Sequence, residues 1–168
     1  DIQMAARIQN NMLPSQFPAF PDRTEFDIYA TMLPAREVGG DFYDFFFIDE
    51  DHLALVIGDV SDKGVPAALF MMSAKTMISN MARMEESPAQ ILYHVNEQLC
   101  ENNEAGMFVT AWMGILDLET GLIRYANAGH NPPVVRRKNG TYEYLKGRAN
   151  FVLAGMEGVR YKEQQLQL

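Results

Sequence analysis

One cysteine and three histidines are all that 168 residues hold of the side chains that build disulfides and most zinc sites. Cys100 has no partner for an internal disulfide, which fits a reducing, cytoplasmic setting. No apolar run nears the ~20 residues needed to span a bilayer, and no secretory signal precedes the first strand pattern, so no direct membrane insertion is expected. Basic residues are scarce as well: 14 Lys and Arg stand against 22 Asp and Glu, for a net charge of −8. The longest basic run is Arg136-Arg137-Lys138, which excludes a nucleic-acid-binding face built on clustered cations. There are no repeats and no low-complexity linkers. With 48% hydrophobic residues, the composition fits one globular domain with a sizeable core.

The chain opens without Met inside a helical pattern, Ile2, Ala5, Ile8 and Met12, running to Leu13-Pro14. Residues 1–14 are therefore expected to be a helical lead-in from an upstream sensory or receiver module, and 15–168 the domain proper. Paired lead-ins would offer a route to a homodimer. At the other end Gln164 to Leu168 alternates like a strand with no terminator, so a further C-terminal segment is expected.

Between these ends the periodicity predicts a strand over 26–33, a second over 41–48 and a third over 53–60, the last two joined by an Asp49-Glu50-Asp51-His52 tip. Two helices follow. The first starts near Pro66 with Phe70, Ala74, Met77, Met81 and Met84 as its core-facing stripe, and the second is capped by Ser87-Pro88-Ala89-Gln90 and carries Ile91, Leu92, Val95 and Leu99. Strand pairs then flank Glu119-Thr120-Gly121 and Asn139-Gly140. Strands, two helices and strands again predict an antiparallel α+β layered fold rather than alternating βαβ units.

The chemistry centres on Asp41 and Asp59. Each stands at an end of an apolar strand pattern, where a carboxylate is costly unless something binds it. Asp41 precedes Glu50 by nine residues and Asp59 follows it by nine, so an antiparallel hairpin sets them face to face. The two-residue period turns Asp44 to the other face, so Asp41 and Asp44 do not chelate one ion. An all-oxygen donor set without clustered His or Cys points to Mg²⁺ or Mn²⁺ rather than Zn²⁺. Taken singly, each aspartate is also a common turn-former.

The histidines carry less. His94 shares a helix face with Gln90, Glu97 and Glu101 and reads as solvated surface, and His52 sits at the hairpin tip. His130, in Gly129-His130-Asn131-Pro132-Pro133, reads either as a general acid or as a structural loop residue, the second being favoured. None completes a Ser-His-Asp or Cys-His nucleophile. Gly39-Gly40-Asp41-Phe42 is superficially like the diguanylate cyclase signature, but it lacks the acid after Asp41 and the strand-helix alternation.

Four ordered blocks carry a resemblance: Pro34-Ala35-Arg36-Glu37-Val38-Gly39-Gly40-Asp41-Phe42-Tyr43-Asp44, Gly58-Asp59-Val60-Ser61-Asp62-Lys63-Gly64-Val65-Pro66-Ala67-Ala68-Leu69, Met107-Phe108-Val109-Thr110, and Ala126-Asn127-Ala128-Gly129-His130-Asn131-Pro132-Pro133. Together they resemble the bacterial type 2C (metal-dependent, PPM) Ser/Thr phosphatases, in the subgroup of the sporulation stage II phosphatase E and the sigma-B regulator U. Ala6 to Pro14 is similar to the helical lead-in of that subgroup.

The resemblance implies an αββα sandwich of antiparallel sheets flanked by helices, shortened here at the C-terminus. It implies hydrolysis of phosphoserine or phosphothreonine, with water attacking phosphorus in line and no covalent enzyme intermediate. The substrate it implies is a phosphorylated anti-anti-sigma-type regulator in a partner-switching pathway. Asp41 and Asp59 fall on the family's metal-ligand positions, with the Val60 carbonyl as a further ligand. Arg36 stands where several members carry a phosphate-clasping arginine. Two Mn²⁺ or Mg²⁺ ions are expected in the complete domain, but the family's further acids lie in and beyond a Thr-Asp-Gly segment, and this sequence has no Asp-Gly pair. The alternative is a regulatory domain that binds its phosphoprotein without turning it over. A metal-dependent phosphodiesterase is a more distant rival.

Overall fold

A computed structural model describes residues 1–85, 87–148 and 150–168. Helix α1 (Ile2–Met12) is followed by a long extended segment, then by strands β1 (Asp41–Asp49) and β2 (His52–Val60). Helices α2 (Val65–Ala82) and α3 (Pro88–Glu101) come next, and strands β3 (Val109–Asp117), β4 (Leu122–Ala128), β5 (Val134–Arg136), β6 (Tyr142–Tyr144) and β7 (Gln164–Gln167) complete the chain. The main sheet is antiparallel in the order β1-β2-β3-β4-β7, and β5 pairs with β6 in a second, two-stranded sheet. The α+β class predicted from the element order is the one found.

Strands β2 to β4 carry apolar residues on both faces, because a packed cluster lies against each. On one face α2 lies over β1 and β2, and α3 over β3 and β4. The core there joins Phe42, Val56, Val60, Val109, Met113 and Ile115 of the sheet to Met71, Ile78, Ile91, Leu92 and Val95 of the helices. Side chains of this size stabilise the fold by about 1.5–3 kcal/mol each when fully buried. On the other face Trp112 stacks on Tyr125, with ring centroids 5.3 Å apart, and packs with Ile123, Leu166 and Val135 of the small sheet.

The helix starts follow from sequence. Ser87 caps α3, its Oγ accepting from the Gln90 N–H at 3.4 Å, and Pro88 takes the first helical position, where a missing N–H is harmless. Gly64, at φ 76°, is the N-cap of α2.

Two expectations need correcting. Residues 26–33 form no strand: Phe26, Ile28, Ala30 and Met32 turn partly inward in alternation, but the segment has no ladder partner among the described residues. Its aromatics serve as a cover instead, Phe26 meeting Phe20 and Phe47, and Tyr29 meeting Phe17. The buried stripe of α2 is Ala67, Met71, Ala74, Ile78 and Ala82, whereas Phe70, Met77 and Met81 are only partly buried and Met84 is 76% exposed. Alanine at three of those positions lets the helix axis approach the sheet closely, which the larger residues would prevent.

Candidate metal centre

The β1–β2 ladder sets Asp41 directly opposite Asp59. The next pair along is hydrogen-bonded, with the Val60 N–H donating to the Gly40 carbonyl at 3.2 Å. Asp41 and Asp59 therefore form a non-hydrogen-bonded pair, the kind in which facing side chains come closest. The electrostatics register this. Burial, then a hydrogen bond that the protonated Asp59 donates to Asp41 and the Asp41 negative charge, push the Asp59 carboxyl from 3.8 up to about 6. Two carboxyl groups so close share a proton or a cation.

Glycine is what permits this geometry next to Asp41. A Cβ on Gly40 would lie 2.9 Å from the Val60 Cβ and 3.1 Å from both the Ala67 Cβ and the Val60 carbonyl oxygen. The backbone before Asp41 is thus pressed onto the end of β2 and the start of α2, and the Val60 carbonyl sits within the same corner.

Both carboxylates border two clefts. One, of about 450 Å³, is lined by Arg36, Gly40, Val60, Ser61, Asp62 and Lys63. The Arg36 guanidinium reaches Gly64 there, lying 3.7 Å from where a Cβ on that residue would be. Among the described residues neither Arg36 nor Lys63 forms an ion pair, so both cations are available to an anionic ligand. The other cleft, of about 460 Å³, includes Thr31, Tyr43, Ile57, His130 and Asn131. A larger hollow of about 580 Å³ beside Cys100, Phe108, Phe151 and Met156 contains neither carboxylate.

His130 lines the second cleft from a tightly held turn. Thr110, opposite Asp59 on β3, meets the His130 Nδ1 through its Oγ1 at 2.9 Å. The Asn127 side chain fixes the turn at Gly129, accepting from the His130 N–H at 2.7 Å and donating to the His130 carbonyl at 2.9 Å. Burial lowers the imidazole's pKa, and the Asp41 charge opposes that shift. The strand register that joins Thr110 to Asp59 was the signal available for placing it.

Asp44 turns to the helix face, where its Oδ2 meets the Lys75 Nζ at 3.2 Å. His52 is held by Asp49 at the hairpin tip, and His94 is exposed. Among the described residues no group of three or more His, Cys, Asp or Glu is placed to hold a metal, and the oxygen-bearing groups at this corner are the two carboxylates and the Val60 carbonyl. Hard oxygen donors with a mutually repelling carboxylate pair fit Mg²⁺ or Mn²⁺. No helix among the described residues is long and apolar enough to cross a membrane.

The chain is 34% identical over 173 residues to Protein IcfG of Synechocystis sp., covering 87% of this chain and 27% of that protein. It is 30% identical over 164 residues to Phosphoserine phosphatase RsbU of Bacillus subtilis, covering 97% of this chain and 48% of RsbU. It thus spans about half the length, or less, of these curated relatives. Its fold matches the SiaA-PP2C domain of Pseudomonas aeruginosa with a TM-score of 0.78 at 23% identity, over 99% of this chain and 65% of that one. RsbX, solved in complex with magnesium, matches with a TM-score of 0.63 at 17% identity, over 79% of this chain and 62% of that one. Residues 49–168, from the β1–β2 tip through β7, match the family model of Stage II sporulation protein E (SpoIIE), and with the antiparallel PP2C-type architecture already described this makes the chain a member of the SpoIIE family.

Proposed function

We propose that Asp41 and Asp59 hold a divalent cation, Mn²⁺ or Mg²⁺, and that the chain is the catalytic part of a phosphatase acting on phosphoserine or phosphothreonine of a regulatory protein. The observation that carries this reading is the opposed carboxylate pair, with the Asp59 carboxyl pushed up to about 6 in a cleft that also presents Arg36 and Lys63. A bound cation supplies charge neutralisation at the phosphoryl oxygens and lowers the pKa of the attacking water.

The chain's own residues have distinct tasks. Asp41 and Asp59 fix the cation's position, and the Val60 carbonyl adds a neutral oxygen. Arg36 and Lys63 draw the phosphoryl group into the cleft and orient it, Arg36 through the fork that matches phosphate oxygens. His130, held by Thr110, borders the opposite side. A second ion, as the family resemblance implies, would take its remaining ligands from acids outside these residues.

The name of RsbU, a phosphoserine phosphatase, supports a phosphorylated regulatory protein as substrate, and the family resemblance supports an anti-anti-sigma-type protein of a partner-switching pathway. In the same reading 1–14 leads in from an upstream sensory module, with dimerisation through paired lead-ins, 15–168 is the phosphatase domain, and the setting is the cytoplasm. The alternative is a phosphoprotein-binding domain without turnover. The test is Mn²⁺-dependent phosphate release from a phosphoserine protein by the full-length protein, with and without Asp59→Asn. Release lost in the variant supports the phosphatase, and binding of the phosphoprotein without release in either form supports the alternative.

A further inference from the structure

The residue most deeply buried in α1 is polar. Gln9 is 2% exposed, while Ile2, Met4 and Ile8 of the same helix are 40%, 51% and 50% exposed. An amphipathic helix docked by its apolar stripe would show the reverse. The Gln9 side chain is satisfied by a single residue: its Nε2 donates to the Gly39 carbonyl at 2.5 Å, and its Oε1 accepts from the Gly39 N–H at 3.1 Å. A side-chain amide that pairs with both backbone polar groups of one residue fixes that residue in position and direction.

Gly39 stands two residues before Asp41. On its other side, Gly40 is pressed against Val60 and Ala67, with no space for a Cβ. The backbone leading into Asp41 is thus clamped between α1 and the junction of β2 with α2. Sequence ties the two ends of this clamp weakly, since 30 residues separate Gln9 from Gly39. The contact exists only while α1 is docked.

We propose that Gln9 is a positioning residue for Asp41, through which docking of α1 sets the cation affinity of the Asp41–Asp59 site. The inference rests on the proposed metal site and goes beyond it by giving that site a second determinant outside the sheet. Coupling of this kind is reciprocal: if docked α1 favours the cation, the bound cation favours docked α1. Residues that orient a metal ligand without touching the metal typically change affinity about 10- to 100-fold when removed.

The test is titration of Mn²⁺ into the chain and into Gln9→Met, which keeps the length and helix preference of the side chain and removes both hydrogen bonds. The Mn²⁺ dissociation constant should rise about tenfold or more in the variant. A purely structural role would instead lower the melting temperature of the metal-free protein and leave the affinity of the folded protein unchanged, and that result would overturn the proposal. Asp59→Asn, titrated alongside, separates the two levels. If Asp59→Asn loses Mn²⁺ binding and Gln9→Met does not, the proposal alone falls. If neither loses it, the metal site falls and the proposal with it. Hydrogen exchange on the unaltered chain needs no variant to fold: Mn²⁺ should slow exchange of the Gly39 amide and of the amides of α1, and unchanged α1 rates would overturn the coupling.

Discussion

Lys75 of α2 meets Asp44 of β1 at 3.2 Å in a nearly closed environment, the two side chains being 11% and 10% exposed. Asp44 stands three residues from Asp41 and serves the opposite face of the strand: one carboxylate ties a helix to the sheet, the other faces the cleft. Removing one partner of a buried pair leaves an uncompensated charge, so Lys75→Met should destabilise the fold by about 3–5 kcal/mol. Because the pair lies away from the cleft, Mn²⁺ affinity should be unchanged in whatever fraction remains folded. Urea unfolding and metal titration of the same variant check both halves.

Gly40→Ala should act on both fold and site. The new methyl group would overlap the Val60 Cβ and crowd the Ala67 Cβ and the Val60 carbonyl, at an overpacking cost of about 1–3 kcal/mol. Relief of the clash displaces the backbone before Asp41. The variant should therefore lose both stability and Mn²⁺ affinity, measured by denaturant unfolding and calorimetry, and full retention of affinity would show that Asp41 is positioned from elsewhere.

The Asp59 carboxyl gives a pH dependence with a definite sign. Its pKa is raised to about 6 in the folded chain from 3.8, so the folded state binds the proton more tightly than the unfolded one. That contribution to stability is complete below about pH 4 and is lost as pH rises through about 6. In the presence of a chelator the melting temperature should fall across this window, and Asp59→Asn should flatten the fall. Mn²⁺ should reverse the trend, because the cation competes with the proton and binds better as the carboxyl ionises. Melting curves at several pH values with chelator and with Mn²⁺ separate the cases.

The β1–β2 hairpin was legible because three local signals agree: a turn-rich tip, strands of matching length, and carboxylates equidistant from the tip. A period of two also placed Asp44 on the far face. The segment 26–33 shows where local signals stop. Its alternation is real, as the inward Phe26, Ile28, Ala30 and Met32 show, but a strand requires a partner that alternation does not supply. In α2 bulky residues and alanines recur at the same helical spacing, and close packing against the sheet selects mostly the alanines. Gln9 and His130 depend on contacts 30 and 20 residues away in sequence, and each sits in a pattern with a simpler local reading.

Cation binding by these 168 residues should be weak. Two carboxylates and a carbonyl leave most positions of an oxygen-coordinating ion to water, and few charged ligands mean low affinity. Calorimetry should give a dissociation constant for Mn²⁺ well above one micromolar. Sub-micromolar binding would mean that ligands other than Asp41, Asp59 and Val60 take part.

The central claim is that Asp41 and Asp59 jointly hold the cation, and paramagnetic Mn²⁺ added at substoichiometric amounts to isotopically labelled protein tests it most directly, since broadening of amide resonances maps the ion even when binding is weak. Broadening centred on Asp41, Asp59 and Val60, spreading to Gly40 and Ser61 and abolished by Asp59→Asn, is the predicted result. Broadening centred elsewhere, or persisting unchanged in the variant, would contradict it.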